Sequence, residues 1–349
     1  MRTTDAANTV PVTILTGFLG SGKTTVLNRL LKLPSLVDTA VIVNEFGAVG
    51  LDHLLIEQAI EDAVLLKNGC ICCTVRGDIA DTLDLLWERR GQGLLPLFRR
   101  IAIETTGLAD PAPVAHALLA EPEARYACRL DGIVTTVDAL HGPIQIERHQ
   151  EARRQVAMAD RVLLTKTDLV SDVEVGRVTA IIGALNAAAL VRPVVNGNVS
   201  AEDVFGLSPG ASADVARVAQ WLRSFDENPH HRHQHFAFRH GDEISSITLR
   251  CDGPVEWEKL RAWLQSLLSL RGDRVLRLKG LVHLVGHDQP VVLQGVHHVL
   301  HPPVFYPKPL QGGTRIVLIT RGLSAEGLRA SFAVFASPTA WKRSARIDG

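Results

Sequence analysis

Up to about residue 200 the chain alternates short apolar runs with longer stretches of helical periodicity. VTILTG (12–17), TAVIVNE (39–45), AVLLKN (63–68), RRIAIETTG (99–107), DGIVTTVDA (131–139), RVLLTK (161–166) and RPVVNG (192–197) are continuous enough to be strands buried on both faces. Strands of that kind separated by helices predict an α/β domain with a mostly parallel sheet. Beyond about residue 206 the pattern breaks into Gly, Pro, Ser and His, with a short helix around Trp221 and then DENPHHRHQH. After it come ISSITLRC, an amphipathic VEWEKLRAWLQSLL, three strand-like runs (RVLRLKGLVHLV, PVVLQGVHHVL, TRIVLIT) and a helix from about Ser324. The pattern predicts a domain over residues 1–205, a linker over 206–235, a smaller α+β domain over 236–336 and a frayed tail over 337–349.

With 349 residues, 46% hydrophobic, the chain can bury two cores. No basic segment followed by an apolar run opens it, and no stretch reaches the ~18 apolar residues of a membrane span, so a cytoplasmic protein without a membrane partner is expected. The formal charge is zero, and the excess of 16 Lys or Arg over 9 Asp or Glu after residue 228 is spread out. Such a spread argues against a nucleic-acid partner. Oligomeric state is not legible, and a homo-oligomer stays open.

GFLGSGKT, Gly17 to Thr24, is a phosphate loop between a strand and a helix. Its amides can cradle phosphates, with Gly17, Gly20, Ser21, Gly22 and Thr25 around Lys23, which neutralises β and γ oxygens, and Thr24, whose hydroxyl suits Mg²⁺. LLTKTD ends a strand with Thr165, Lys166 and Asp168, one residue from the Asn-Lys-x-Asp that reads guanine, and favours GTP over ATP. VVNGN, ending at Asn198, can complete the base pocket. Two loops stand where nucleotide-sensing segments should lie: NEFG with Asn44 and Glu45, and ETTG, in which Glu104 can serve the Mg²⁺ shell and the Gly107 amide the γ-phosphate. Lys23, Thr24, Glu104 and Gly107 form the expected catalytic set. With no evident water-positioning glutamine or arginine finger, slow intrinsic turnover is expected.

Between the two loops lies NGCICC, with Cys70, Cys72 and Cys73. In a turn, such thiolates can converge on one soft ion, zinc first and cobalt next, leaving an exchangeable fourth position. A buried cysteine cluster and a redox dithiol are the competing readings. Ten of the fourteen histidines fall at or after residue 230. His230, His231, His233 and His235 can feed metal or simply solvate a linker. His297 and His298 are expected to alternate across a strand, and His283 and His287 to be satisfied polar residues.

GFLGSGKTT, NEFG, NGCICC, ETTGLADP and LLTKTD, in that order, resemble the CobW-type P-loop GTPases, and DEISSITL, RVLRLKGLV and LQGVHH resemble the CobW C-terminal domain. The resemblance implies a P-loop NTPase domain followed by a smaller α+β domain. It also implies a GTP-hydrolysing metallochaperone that carries zinc, or cobalt, on Cys70, Cys72 and Cys73 to a client docked partly on the C-terminal domain. Many relatives have Glu where this chain has Ala48, and some have a carboxylate where it has Val43, so the thiolates would carry the ion almost alone. A metal buffer uncoupled from nucleotide and an ATP-dependent small-molecule kinase are the rival functions.

Overall fold

The computed structural model describes residues 9–36, 38–44, 64–65, 71–75, 79–120, 128–208, 244–306 and 313–336. At residues 44, 64–65, 71–75, 80 and 120 it describes the backbone alone. The described residues fall into two compact units, 9–208 and 244–336. Among them no helix is long and apolar enough to cross a membrane.

The first unit is built on an eight-stranded sheet. Its strands are β1 (Val10–Gly17), β2 (Thr39–Asn44), β3 (Val64–Leu65), β4 (Ile71–Val75), β5 (Arg100–Thr105), β6 (Cys128–Asp138), β7 (Arg161–Thr165) and β8 (Leu190–Val194). Their spatial order is β3-β4-β2-β5-β1-β6-β7-β8, and every neighbouring pair is parallel except the antiparallel edge pair β3–β4. The apolar runs are strands because both faces of the sheet are covered: Val12, Ile14, Ile42, Ile101, Ile103, Ile133 and Val162 are wholly buried. Helices α1 (Lys23–Leu30), α2 (Ile79–Gly91), α3 (Ala112–Ala120), α4 (Gly142–Arg148), α5 (Gln150–Met158) and α6 (Asp172–Leu185) connect them. Helix α1 packs Val26, Leu27 and Leu30 onto Leu15, Val41, Ala102 and Leu163. The loops after β1, β5 and β7 therefore open at the same carboxyl edge of the sheet, where open α/β sheets bind ligands.

Two features depart from the sequence reading. ICCTV is strand β4, not a turn, and pairs in parallel with β2 through Val41 to Cys72 and Ile42 to Cys73. Within AVLLKN the described residues Val64–Leu65 form β3, which runs antiparallel to β4 rather than parallel.

The second unit contains β9 (Ile244–Cys251), α7 (Trp257–Arg271), β10 (Val275–Val282), β11 (Val291–Val296), β12 (Val299–Leu300), β13 (Val304–Phe305), β14 (Thr314–Arg321) and α8 (Ala325–Ala336). Its antiparallel sheet runs β12-β11-β10-β14-β9, with β13 also on β11. Leu260, Trp263 and Leu264 of α7 and Leu328 and Phe332 of α8 close one core with Leu249, Leu278 and Leu318. Trp263 stacks edge-on against Phe332 at 5.3 Å and donates its indole N–H to Ser331 Oγ at 3.1 Å, so its polar handle is satisfied.

His297 and His298 do not alternate on a strand. They form the turn between β11 and β12, and their Nδ1 atoms reach the Gly272 and Leu268 carbonyls at 3.2 and 2.8 Å. Those carbonyls end α7 or follow it, so the pair caps a helix terminus. Among the described residues the buried Nε2 of His283 has no hydrogen-bond partner, contrary to the expected satisfied residue. Burial first, and the nearby Arg315 charge second, hold its imidazole below the ordinary histidine value. The histidines at 230–235, the helix around Trp221 and the tail after residue 336 lie outside the described residues.

Candidate nucleotide and metal site

The phosphate loop is shaped by sterics that only glycine meets. Gly22 precedes α1 in the left-handed region (φ 95°), and no side chain caps the helix, so its first amides face the loop. A side chain at Gly17 would run into Thr136 and, at 2.8 Å, into Ser21 Oγ. Ser21 Oγ and Thr136 Oγ1 instead share a 2.6 Å hydrogen bond that ties the loop to the end of β6.

Lys23 is 9% exposed and folds back on the loop, donating to the Gly17 carbonyl at 2.7 Å and the Phe18 carbonyl at 3.1 Å. Burial lowers its pKa, partly opposed by the Glu104 carboxylate. A largely buried ammonium held by neutral carbonyls is a preorganised partner for phosphate oxygens. Thr24 donates its hydroxyl to Glu104 Oε1 at 2.9 Å. Glu104, at the end of β5, is 6% exposed. A hydroxyl and a carboxylate in contact beside a phosphate loop are the hard oxygen donors that suit Mg²⁺.

The loop after β5 is packed directly onto the phosphate loop. A Cβ at Gly107 would stand 2.8 Å from the Leu19 amide nitrogen and 2.9 Å from its Cα. The strand also carries a hydroxyl relay, Thr105 Oγ1 donating to Thr16 Oγ1 at 2.8 Å.

Thr165 takes over a connecting role. Its buried hydroxyl lies 2.7 Å from the Ser21 carbonyl and 3.2 Å from that of Val137, joining the loop after β7 to the loop before α1. Lys166 adopts φ 57° and donates to the Gly20 carbonyl at 3.0 Å and to Asp138 Oδ2 at 2.5 Å. Asp138 is 1% exposed, and its other oxygen accepts the Leu140 and His141 amides at 2.8 and 3.0 Å. Burial alone would push this carboxyl up, but the Lys166 bond and the two amides outweigh it and hold it below the ordinary aspartate value. Asp168 is exposed two residues along. The loop after β8 approaches from the other side, with Gly197 (φ 67°) so close to Thr25 that a Cβ there would stand 3.1 Å from the Thr25 carbonyl oxygen.

The structure thus brings Gly17, Gly20, Ser21, Gly22, Lys23, Thr24, Thr25, Glu104, Gly107, Thr165 and Lys166 to one end of the sheet. Asn44 ends β2, and its backbone pairs with Thr105 and Val75. Glu45 and Cys70 lie outside the described residues, and Cys72 and Cys73 are placed by their backbone alone. Two residues of the site were not found in the sequence. Asp138 could have been suspected as a carboxylate ending an apolar strand. Gln155, on α5, whose side-chain amide donates to the Gly107 and Ala109 carbonyls at 3.1 and 2.9 Å, gives no sequence signal.

Residues 11–193 match the model of the CobW/HypB/UreG nucleotide-binding domain, and residues 244–336 match that of the cobalamin synthesis protein CobW C-terminal domain. The zinc chaperone YjiA of Escherichia coli K12 is 33% identical over 330 residues, 93% of this chain and 98% of its own length. The zinc chaperone CobW of Pseudomonas aeruginosa is 34% identical over 321 residues, 82% and 80% of the two chains. Crystal structures of the Zn(II)-bound YjiA GTPase, and of a zinc-bound triple mutant lacking one glutamate and two cysteines, match with TM-scores of 0.71 and 0.72. Each is 30% identical and covers 95% of this chain and all of its own. Two domain matches in sequence order, with one relative similar over 98% and another over 80% of its length, place this chain in the CobW/HypB/UreG family, as a nucleotide-binding protein with the CobW C-terminal domain.

Proposed function

We propose that the protein is a GTP-hydrolysing metallochaperone whose cargo is zinc, carried on Cys70, Cys72 and Cys73 and passed to a client protein in a nucleotide-dependent way. The observation that carries the reading is the convergence of three loops: Lys23 on the phosphate loop, Glu104 hydrogen-bonded to Thr24, and Thr165 tying the base loop to Ser21. Lys23 would exchange its two carbonyls for β and γ oxygens, and Thr24 and Glu104 are the residues that would hold Mg²⁺. The bound Mg²⁺ would neutralise phosphate charge. The Gly107 amide meets the γ-phosphate, and Asp168 distinguishes guanine from adenine by accepting from N1–H and the exocyclic amine. Positioning and charge neutralisation, rather than a dedicated base, carry the hydrolysis.

Sheet register supports coupling to the cargo. Ile42 on β2 pairs with Cys73 on one side and Ile103 on the other, and Val43 pairs with Thr74 and Glu104. The cysteine strand is therefore two strands, about 10 Å, from the strand of the Mg²⁺ carboxylate, at ~4.8 Å per strand. A nucleotide that shifts β2 and β5 would act on a neighbour held by backbone hydrogen bonds. The zinc-bound triple mutant of the relative shows that zinc in a crystal of that GTPase does not by itself locate a cysteine site. The cysteines of this chain therefore have to be tested by substitution.

The first test is turnover by the full chain with Mg²⁺. GTP hydrolysis that ATP does not replace, and that Lys23→Ala abolishes, is expected. Equal turnover of ATP would overturn the guanine assignment.

A further inference from the structure

Helices α4 and α5 form a hairpin that touches both phosphate-sensing loops. On the phosphate-loop side, Gln145 Nε2 donates to the Leu19 carbonyl at 3.3 Å and the His149 ring stacks on Phe18 at 4.6 Å. On the other side, Gln155 Nε2 donates to the carbonyls of Gly107 and Ala109 at 3.1 and 2.9 Å. Its neighbour Arg154 pairs with Asp110 at 3.3 Å. Gln155 is 1% exposed, and its backbone carbonyl accepts Thr135 Oγ1 at 2.8 Å, which pins this point of α5 to β6. Among the described residues its Oε1 has no hydrogen-bond partner.

A buried amide with one orphaned oxygen is costly where a methionine of similar size would fill the space. What the amide adds is two donors, and both go to the segment that carries the Gly107 amide. Fixing the Gly107 and Ala109 carbonyls fixes the peptide planes around them, and a turn closed by the Ala109 amide on the Thr106 carbonyl at 3.1 Å leaves the segment little other freedom.

We propose that Gln155 is a positioning residue for the γ-phosphate-sensing loop: it holds Gly107 against Leu19 in the geometry that accepts a triphosphate, and links that geometry to the α4–α5 hairpin. The inference deepens the GTPase reading and rests on it. Gln155 does not touch the reacting atoms, so its loss should separate triphosphate from diphosphate.

The test uses the full chain as wild type, Gln155→Met and Gln155→Glu, with the affinities of Mg²⁺-GDP and a Mg²⁺-bound non-hydrolysable GTP analogue and the kcat for GTP from about pH 5.5 to 8. Gln155→Met should hold GDP within roughly twofold while kcat and analogue affinity fall about tenfold. In Gln155→Glu a carboxylate faces two carbonyl oxygens, and protonation restores one donor, so its kcat relative to wild type should rise as pH falls. An unchanged kcat and analogue affinity in Gln155→Met, or equal losses for GDP and analogue, would overturn the proposal. Should Gln155→Met not fold, a flat pH ratio in Gln155→Glu overturns it and a rising one supports it. A wild type that binds but does not hydrolyse GTP would sink the hydrolase reading alone, because the diphosphate-to-triphosphate affinity ratio still reports on Gln155.

Discussion

Replacing Asp138 with asparagine removes one charge and keeps the shape. The asparagine Oδ1 can still accept the Leu140 and His141 amides, but an NH₂ now faces the Lys166 ammonium in place of the carboxylate oxygen 2.5 Å away. A hydrogen bond between charged groups contributes about 1.5–3 kcal/mol. The Lys166 side chain is 37% exposed, so solvent screening favours the lower end, about 1.5 kcal/mol. Urea unfolding at pH 7 should show that loss. Guanine-nucleotide affinity should fall about tenfold, because Lys166 is no longer fixed beside the Gly20 carbonyl. The folded carboxyl sits below its unfolded value of about 3.9, so its stabilisation is fully present above that pH and is lost as pH falls through the lower, folded value. The stability gap between wild type and variant should therefore narrow in acid. A variant within about 0.3 kcal/mol and twofold of wild type at pH 7, or a gap unchanged in acid, would refute the reasoning.

Gly107→Ala sets a methyl against the Leu19 backbone, which cannot yield as a side-chain tip could. GTP turnover should drop at least about tenfold, with a melt showing a cost of about 1–3 kcal/mol, and wild-type turnover would contradict the packing described. Thr165→Val keeps the shape but leaves the buried Ser21 and Val137 carbonyls without their donor, which should cost about 1–2 kcal/mol and raise the KM for GTP. Denaturation and steady-state kinetics check both effects.

The parallel sheet was legible because its strands are continuous apolar runs, and the loops after β1, β5 and β7 gather at one edge because each follows such a run. The bond from Thr165 to Ser21 was not legible, because it joins residues 144 apart. ICCTV is a strand and not the turn expected because its β-branched ends suit a pleated strand, whereas three cysteines in four residues suggest a turn around an ion. His297 and His298 were misread because VHHVL is apolar and β-branched around the pair, and the left-handed backbone at His297 that makes the turn has no glycine to announce it. Asp138 and Gln155 work through contacts between separate elements, which periodicity does not encode.

The central claim is that nucleotide sets metal affinity at the cysteines. The most direct test is zinc affinity by chelator competition on reduced, metal-free full chain, with Mg²⁺-GDP and with a Mg²⁺-bound non-hydrolysable GTP analogue, repeated on Cys72→Ser. A difference between the nucleotides of at least about 1.4 kcal/mol, tenfold in Kd, that disappears in the variant is predicted. Equal zinc affinities in the two nucleotide states would contradict the claim and leave a GTPase that holds zinc without coupling it to hydrolysis.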